Sequence, residues 1–438
     1  MTSDKLKSFN YAVGMFGTSI PINMLKTYAA YYYVDRLGMT TVQLASILFI
    51  YTFIDAADNP IYGFLSDRTR TRWGRRRPWL VIGTPLLALG LIAFFSTPSF
   101  LAGQNLFGYA MLFYILTGTL DSVINANYGA LFPELFRTDA SRASTNALRQ
   151  AFQLVAMIIS IALTPLITSK IGFSLTAIIY GILGGSVILY MALTAKEVTV
   201  EDHEKKPGLW ESLKDLFTNR KFWLTGFTNA FYSAAMSLVL ASLPFFAKYT
   251  LGIPDSQSTI LFASVLIIAI ACVAVWAKLV RKFGLIPVWR AALAALAAAF
   301  ALLYFANSLA TAAAGSALVG FGFAGVITTM DLIAAKVMDE DTRKHQVRRE
   351  GIISNALGFM NRLNGLFTSA AFVLVFRLFG FESGNNPGAQ PNVAARFLLT
   401  VFPMVLTLIS FAFSFTVDFP RDEKPPEIGV HAVEAASD

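Results

Sequence analysis

Two carboxylates that stand three residues apart, Asp55 and Asp58, interrupt an otherwise apolar stretch of the sequence. On a helix, this spacing places both side chains on one face. A carboxylate inside a membrane-length apolar segment is costly and needs a partner, which marks it as a candidate functional residue. Pro60, which follows Asn59, frees the carbonyl of Ala56 from its helical hydrogen bond. Two carboxylates, an amide and a free carbonyl can coordinate a small cation through oxygen, and the alternative is an ion pair between helices.

A lysine, Lys26, lies within the first apolar segment of the chain. Counted from the outer end of its predicted helix, it lies roughly 13 Å deep, whereas Asp55 and Asp58 lie roughly 20–24 Å deep. A lysine side chain can bridge much of that gap. We therefore expect Lys26 to pair with one of the two aspartates as a tethered cation, and the alternative is that its ammonium reaches the membrane surface.

The composition excludes several classes of protein. Of the 438 residues, 55% are hydrophobic and 14% are charged, whereas soluble proteins carry roughly 25% charged residues. One cysteine and three histidines, all three in polar stretches, leave no material for a disulfide or a histidine metal cluster. No nucleotide-binding or hydrolase motif occurs. The sequence therefore predicts an integral membrane protein that is not an enzyme and has no cofactor.

Apolar segments of membrane-spanning length recur along the chain and predict about twelve transmembrane helices. Five of the intervening loops hold 22 lysines and arginines, and loops of this kind face the cytoplasm. Both termini are then cytoplasmic. The net charge of +8 is accounted for by these loops, so no binding to nucleic acid is expected. The segments lie near 9–34, 42–66, 78–97, 105–131, 145–168, 173–195, 221–247, 257–280, 286–306, 312–335, 351–379 and 393–418.

A long polar stretch divides the predicted helices into two sets of six. We expect an N-terminal six-helix bundle over 1–195, a cytoplasmic linker over 196–220, a C-terminal six-helix bundle over 221–418 and a cytoplasmic tail over 419–438. Secondary transporters are organised in this way, with a solute site near the membrane midplane between the two halves.

The stretch around the two aspartates resembles a known family. Asp55, the Pro-x-x-Gly of Pro60 to Gly63, Ser66-Asp67 and the basic run 70–79 are similar to the glycoside–pentoside–hexuronide:cation symporters of the major facilitator superfamily. The resemblance covers nearly the whole chain. Further matches are Tyr31-Tyr32-Tyr33 before Asp35, Tyr128 to Glu134, Arg142 followed by Arg149, and Arg348 to Gly351.

This resemblance implies a major facilitator fold and cation-linked transport of a sugar or glycoside across the bacterial inner membrane. It places the cation site on the second helix, where Asp55 matches directly. The family has an aspartate immediately before the proline, where this chain has Asn59, and Asp58 stands one residue earlier. The predicted coupling residues are therefore Asp55, Asp58, Asn59 and Lys26, with Na+ and H+ both open as the coupling ion.

The loop after the second helix has features of a gate. Gly63 permits close approach of helices, and Asp67 can pair with arginines such as Arg75 and Arg76 in one arrangement of the two halves and lose them in the other. The alternative is that the arginines only set the orientation in the membrane.

Solute recognition is expected in a central cavity. By resemblance, Ser19, Asn125, Arg149 and Arg362 occupy family sugar-binding positions. Arginine binds carboxylates and sulfonates in a bidentate manner, so a cavity with Lys26 and these two arginines favours a uronide or sulfonated sugar. Tyrosines can stack on a sugar ring or act as interface anchors. The predicted solute-binding residues are Ser19, Tyr28, Tyr32, Asp121, Asn125, Tyr128, Arg149, Asn361 and Arg362.

Two other functions remain open at this point. The first is transport of an amphiphile such as a lysolipid by the same fold. The second is a membrane sensor that performs no transport. The expected partners are the lipid bilayer and a small sugar-like solute, and the protein is expected to be a monomer.

Overall fold

The computed structural model describes residues 3–136, 139–195, 220–345 and 357–417. These ranges are almost entirely helical, as apolar segments in lipid require, and the single isolated β-bridge within them joins Thr71 and Gly74. In chain order the helices are α1 (Ser3–Ala12), α2 (Gly14–Ala30), α3 (Thr41–Arg68), α4 (Arg77–Phe95), α5 (Gly103–Leu135), α6 (Asp139–Met157), α7 (Thr164–Thr194), α8 (Arg220–Phe245), α9 (Ser258–Phe283), α10 (Leu285–Tyr304), α11 (Leu309–His345), α12 (Asn364–Phe379), α13 (Pro391–Arg396) and α14 (Phe402–Ser414).

Nine helices in the described ranges are long and apolar enough to cross a membrane, and two shorter apolar helices cover Thr41–Ala56 and Leu148–Ala162. The all-α membrane class is confirmed, whereas the number twelve and the cytoplasmic location of the termini stay predictions. One helix, α7, contains two helical pieces that meet at Gly172, whose φ of 79° lies in a region that favours glycine. This break falls between the predicted segments 145–168 and 173–195.

Wider π-helical turns interrupt or end several helices. They cover Tyr31–Arg36 after α2, Ile158–Ala162 after α6, Phe246–Leu251 after α8 and Phe397–Val401 before α14. Such turns are rare and occur frequently at functional sites. The turns at Tyr31–Arg36 and Phe246–Leu251 follow α2 and α8, the first membrane-length helix of each predicted half. They therefore occupy equivalent places in the chain.

The helices pack mainly within two groups, here called the first group (α1–α7) and the second group (α8–α14). Helix α4 packs against α5 and α7, and α11 packs against α9 and α10. In the first group, Gly17 and Gly184 let α2 and α7 approach closely, because a Cβ on either glycine would lie under 3 Å from the carbonyl oxygen of the other. Contacts between the groups run chiefly from α3 to α12. The division into the predicted domains stays a prediction, and residues 196–219 of the linker and residues 418–438, with the predicted tail, lie outside the described residues.

A network of polar contacts joins the two groups where α2 ends and α3 begins, here called the far end. The carboxylate of Asp35, whose side chain is 0% exposed, accepts hydrogen bonds from Lys248 Nζ at 2.7 Å and from the Tyr249 hydroxyl at 2.5 Å. Since Asp35 belongs to the first group and its two donors to the second, these bonds hold the groups together.

A second carboxylate completes this network. Asp255 accepts a hydrogen bond from the Tyr31 hydroxyl at 2.6 Å and forms an ion pair with Arg36. The backbone N–H of Gly384 donates to the carbonyl of Val34 at 2.8 Å. We call the six residues Tyr31, Asp35, Arg36, Lys248, Tyr249 and Asp255 the far-end clasp.

Candidate functional site

Asp55 lies in α3 at the contact between the two groups of helices, and three side chains donate to it. Arg362 Nη1 lies 2.5 Å from Asp55 Oδ1 and 2.5 Å from the Asp55 backbone oxygen. The hydroxyls of Ser122 and Tyr51 donate to the same carboxylate oxygen at 3.1 Å and 3.3 Å. A buried carboxylate is tolerated when it is both paired and hydrogen-bonded, and Arg362 supplies the pairing from the opposite group.

Asp58 lies one helical turn beyond Asp55 and is also buried. Its Oδ2 accepts a hydrogen bond from the Thr119 hydroxyl at 3.0 Å. The side chain of Asn59 lies outside the described part of the chain. Across the described ranges, no group of three or more histidine, cysteine, aspartate or glutamate side chains is arranged to hold a metal ion.

A third carboxylate, Asp121 of α5, lies near this pair and is buried. Asn125 Nδ2 donates to Asp121 Oδ1 at 2.7 Å, because residues four apart meet on one helix face. Asp121 interacts electrostatically with Asp55 and with Lys26. The two predicted residues on α5 are thus bonded to each other.

The structure does not place Lys26 on an aspartate of α3, which is where the sequence predicted it. Arg362 pairs with Asp55 instead, and its Nη1 donates to both the carboxylate and the backbone oxygen. Lys26 is exposed, and among the described residues none lies within hydrogen-bond or ion-pair distance of its ammonium. Its electrostatic partner is Asp121 of α5.

A cavity of about 50 Å³, as bounded by the described residues, lies between the two groups of helices. That space has room for a few waters and is far below the roughly 300 Å³ at which ligand pockets begin. A sugar-sized ligand therefore does not fit the cavity in this conformation. The polar wall of the cavity includes Lys26, Tyr51, Thr52, Asp55, Arg362 and Asn364, and the apolar wall includes Leu44, Leu48, Ala241 and Phe372.

Three predicted tyrosines lie away from this cavity. Tyr28, Tyr32 and Tyr128 do not line it, and each hydroxyl donates to a backbone carbonyl. Tyrosine hydroxyls need such a partner when the ring is buried, so these three side chains stabilise helix packing in this structure. The accepting carbonyls belong to Ile161 at 2.5 Å, Phe95 at 3.0 Å and Tyr11 at 3.2 Å, respectively.

Arg149 is also separate from the cavity, because aromatic rings enclose its guanidinium. Its Cζ lies 5.8 Å from the ring centre of Tyr11 and 5.0 Å from those of Tyr128 and Phe132. Cations within about 6 Å of an aromatic face are attracted to it. Arg149 therefore stabilises the first group of helices rather than a central anion site in this conformation.

The remaining predicted solute-binding residues, Ser19 and Asn361, do not line the cavity. Ser19 is buried two helical turns before Lys26 and is not part of the cavity wall. Asn361 precedes Arg362, and its buried Oδ1 has no hydrogen-bond partner among the described residues.

The predicted gate is described only in part. Arg76 is buried and donates to the Ser66 hydroxyl at 3.0 Å, so it ties the end of α3 to the next loop. Arg75 also has an interaction partner. The side chain of Asp67 and the surroundings of Gly63 lie outside the described part, so their gating role stays a prediction.

The sequence analysis did not identify three side chains that donate hydrogen bonds to the carboxylates. Tyr51 stands four residues before Asp55, and this spacing could have indicated a contact on one helix face. Thr119 and Ser122 lie on a different helix, and their contacts depend on how α3 and α5 pack.

Gly118 positions Tyr51, and replacing it with alanine is expected to disturb the site. A Cβ at this position would lie 2.3 Å from the Tyr51 hydroxyl oxygen and 2.4 Å from the ring carbon that bears it. Gly118→Ala therefore displaces the ring and breaks its hydrogen bond to Asp55, which is worth roughly 1.5–3 kcal/mol to a charged acceptor. We expect about a tenfold increase in the ion concentration that gives half-maximal uptake.

Gly108→Ala is the matched control on the same helix, since a Cβ there would meet no atom within 4 Å. Uptake by this variant should equal that of the unmodified protein. Identical ion dependence in both variants would show that Tyr51 does not support the site.

Two groups of helices that meet at an ion pair and a small polar cavity form an arrangement that is common among secondary transporters. The sequence model of the MFS/sugar transport protein family matches residues 10–421, and the chain belongs to this family. It is therefore a multi-pass transport protein of the bacterial inner membrane, and it is not an enzyme.

Relatives and solved structures agree with this assignment. The chain is 25% identical to the "Isoprimeverose transporter" of Lactiplantibacillus pentosus, covering 91% of this chain and 85% of the relative. It is 24% identical to the "Putative sulfoquinovose importer" of Escherichia coli K12, covering 94% and 90%. The fold is similar to that of the nucleoside transporter NupG, with a TM-score of 0.68 at 13% identity, covering 95% of this chain and 100% of that one.

Proposed function

We propose that this protein is a cation-linked symporter that carries a sugar or glycoside by alternating access. The observation that carries the proposal is the Arg362–Asp55 ion pair, which joins the two halves at the predicted cation site. The relatives from L. pentosus and E. coli are named for isoprimeverose and sulfoquinovose, which favours a sugar over a lysolipid, and transport over a purely sensory role.

The charges around the cavity support a coupling cation. The described cluster contains three carboxylates, Asp55, Asp58 and Asp121, and two cationic side chains, Lys26 and Arg362. With all five ionised, one negative charge is in excess. An uncompensated charge at this depth is costly, and one Na+ or one H+ would neutralise the cluster.

The same ion pair supports coupling between ion binding and movement of the halves. An ion that binds Asp55 competes with Arg362 for the carboxylate. Loss of the pair removes a contact between the halves, so the ion favours an arrangement in which they have moved apart. A solute that binds the widened cavity favours the same arrangement, and each ligand then increases the affinity for the other.

Uptake into proteoliposomes tests this function. The full-length protein is supplied with a panel of neutral and anionic glycosides, with Na+ and H+ gradients imposed separately. A tenfold ion gradient, about 1.4 kcal/mol, supports about tenfold solute accumulation at a ratio of one ion per solute. We expect accumulation with one of the two gradients.

Protein-free liposomes and vesicles whose gradient has been collapsed by an ionophore provide the controls. If none of the glycosides enters, the sugar assignment is wrong, and entry that ignores both gradients would replace symport with facilitated diffusion.

A further inference from the structure

We propose that Lys26 recognises an anionic group on the solute and thereby selects acidic sugars over neutral ones. This inference rests on the proposed function, because it names the residue that sets the substrate class at the same cavity.

The position of Lys26 carries the first part of the argument. Its side chain lines the cavity, the residue is exposed, and no described residue lies within ion-pair distance of its ammonium. Asp121, its electrostatic partner, is buried, is absent from the cavity wall and is hydrogen-bonded to Asn125. The ammonium is therefore accessible to a solute, whereas the carboxylate is not.

The other two cations that the sequence placed in the cavity already have partners in the protein. Arg362 contacts both the carboxylate and the backbone oxygen of Asp55 through the same nitrogen. Arg149 lies among aromatic rings and does not line the cavity. Among the described cationic residues that line the cavity, Lys26 remains for the solute.

The energetics follow from removal of water. In the empty cavity, water solvates the ammonium, and a bound solute displaces that water. A carboxylate or sulfonate replaces it with a charge-assisted hydrogen bond, whereas a neutral sugar offers only hydroxyl oxygens. Hydrogen bonds to charged groups are worth enough to give roughly 10- to 100-fold discrimination.

The charge balance accommodates an anionic solute. A bound anion and Lys26 neutralise each other. Arg362 then balances one of the three carboxylates, and the charges of the other two require coupling ions or protons. An acidic sugar should therefore enter with one more cation than a neutral sugar does.

The test compares methyl β-D-glucuronide with methyl β-D-glucoside, which differ only in the acidic group. Initial rates of uptake into proteoliposomes are measured for the unmodified protein and for Lys26→Gln. The unmodified protein should prefer the glucuronide. Lys26→Gln should raise the KM for the glucuronide roughly 10- to 100-fold and change the KM for the glucoside much less. Lys170→Gln, at an exposed lysine of α7, is the matched control and should change neither value.

Chemical restoration of the charge distinguishes a loss of solute recognition from a folding defect. Lys26→Cys in a Cys272→Ser background is treated with an aminoethyl methanethiosulfonate, which adds a positive charge, or with its uncharged methyl analogue. Only the charged reagent should restore the preference for the glucuronide. An equal effect of Lys26→Gln on both sugars, or restoration by both reagents, overturns the proposal. Absence of uptake of either sugar by the unmodified protein instead overturns the proposed function.

Discussion

Replacing Asp55 with asparagine is expected to abolish ion-driven accumulation of the solute. The carboxylate accepts hydrogen bonds from Arg362, Ser122 and Tyr51, and in the proposed function its negative charge binds the coupling cation or proton. Asp55→Asn keeps the size of the side chain but removes that charge. Accumulation should fall to the level of equilibration, which is measured with the imposed gradients in proteoliposomes.

The same substitution should also destabilise the protein. It leaves the guanidinium of Arg362 with the backbone oxygen alone, and removing one partner of a buried ion pair costs about 3–5 kcal/mol. The side chains of Asp55 and Arg362 are 11% and 24% exposed, so the lower end of that range is expected. Thermal unfolding in detergent measures the effect.

Two further variants separate stability from coupling. The double variant Asp55→Asn/Arg362→Gln removes both charges of the pair and should recover much of the lost stability without recovering accumulation. Ser122→Ala removes one hydrogen bond and should cost only about 1–3 kcal/mol, with accumulation retained. Gradient-driven accumulation by Asp55→Asn itself would mean that coupling resides elsewhere.

Replacing Asp35 with asparagine is expected to loosen the far-end clasp. Asp35 is fully buried and binds both Lys248 and Tyr249, so its charge holds the far end closed. Since the side chain of Lys248 is 38% exposed, solvent screens the pair. We expect the closed arrangement to lose on the order of 1–2 kcal/mol, which opens the far end roughly tenfold more often.

A cysteine in the cavity reports this opening. Ser237→Cys, at a residue of the cavity wall, is introduced into a Cys272→Ser background and labelled with a membrane-impermeant maleimide. Vesicles of the two opposite orientations are compared. Asp35→Asn should increase the labelling rate from one side only, that of the far end.

Lys170→Gln removes an exposed charge outside the clasp and is the matched control for this measurement. An unchanged labelling rate in Asp35→Asn, or an equal increase from both sides, would show that the clasp does not control access to the cavity.

The sequence predicted the membrane class and the importance of Asp55 because both follow from local physics. Long apolar segments must be helical in lipid, and a carboxylate inside one must have a partner. The identity of the partner is not local. Arg362 stands 307 positions from Asp55, and Lys26 was closer in predicted depth. Only the packing of the segment that leads into α12 against α3 decides between the two.

The aromatic residues also show that residue type alone does not determine which contact a side chain makes. Tyr28 and Tyr128 have the chemistry of sugar-binding side chains, and each lies on a helix that contributes to the centre of the protein. Their hydroxyls instead donate to carbonyls of neighbouring helices. Residue type can indicate what a side chain is able to bind, but helix rotation determines whether it faces solute or protein.

The π-helical turns after the first helix of each half have a consequence for comparing homologous chains. A π turn closes its hydrogen bond over one residue more than an α turn, so deleting one residue within 31–36 would restore an α-helix without turning the helix beyond the deletion. Residues on either side of the turn would keep their faces, and an aspartate at the place of Asp35 would still face Lys248. A one-residue gap in an alignment at this place is thus compatible with the pairing, and a homologue without the pairing should be recognised by the loss of one of the two charged residues.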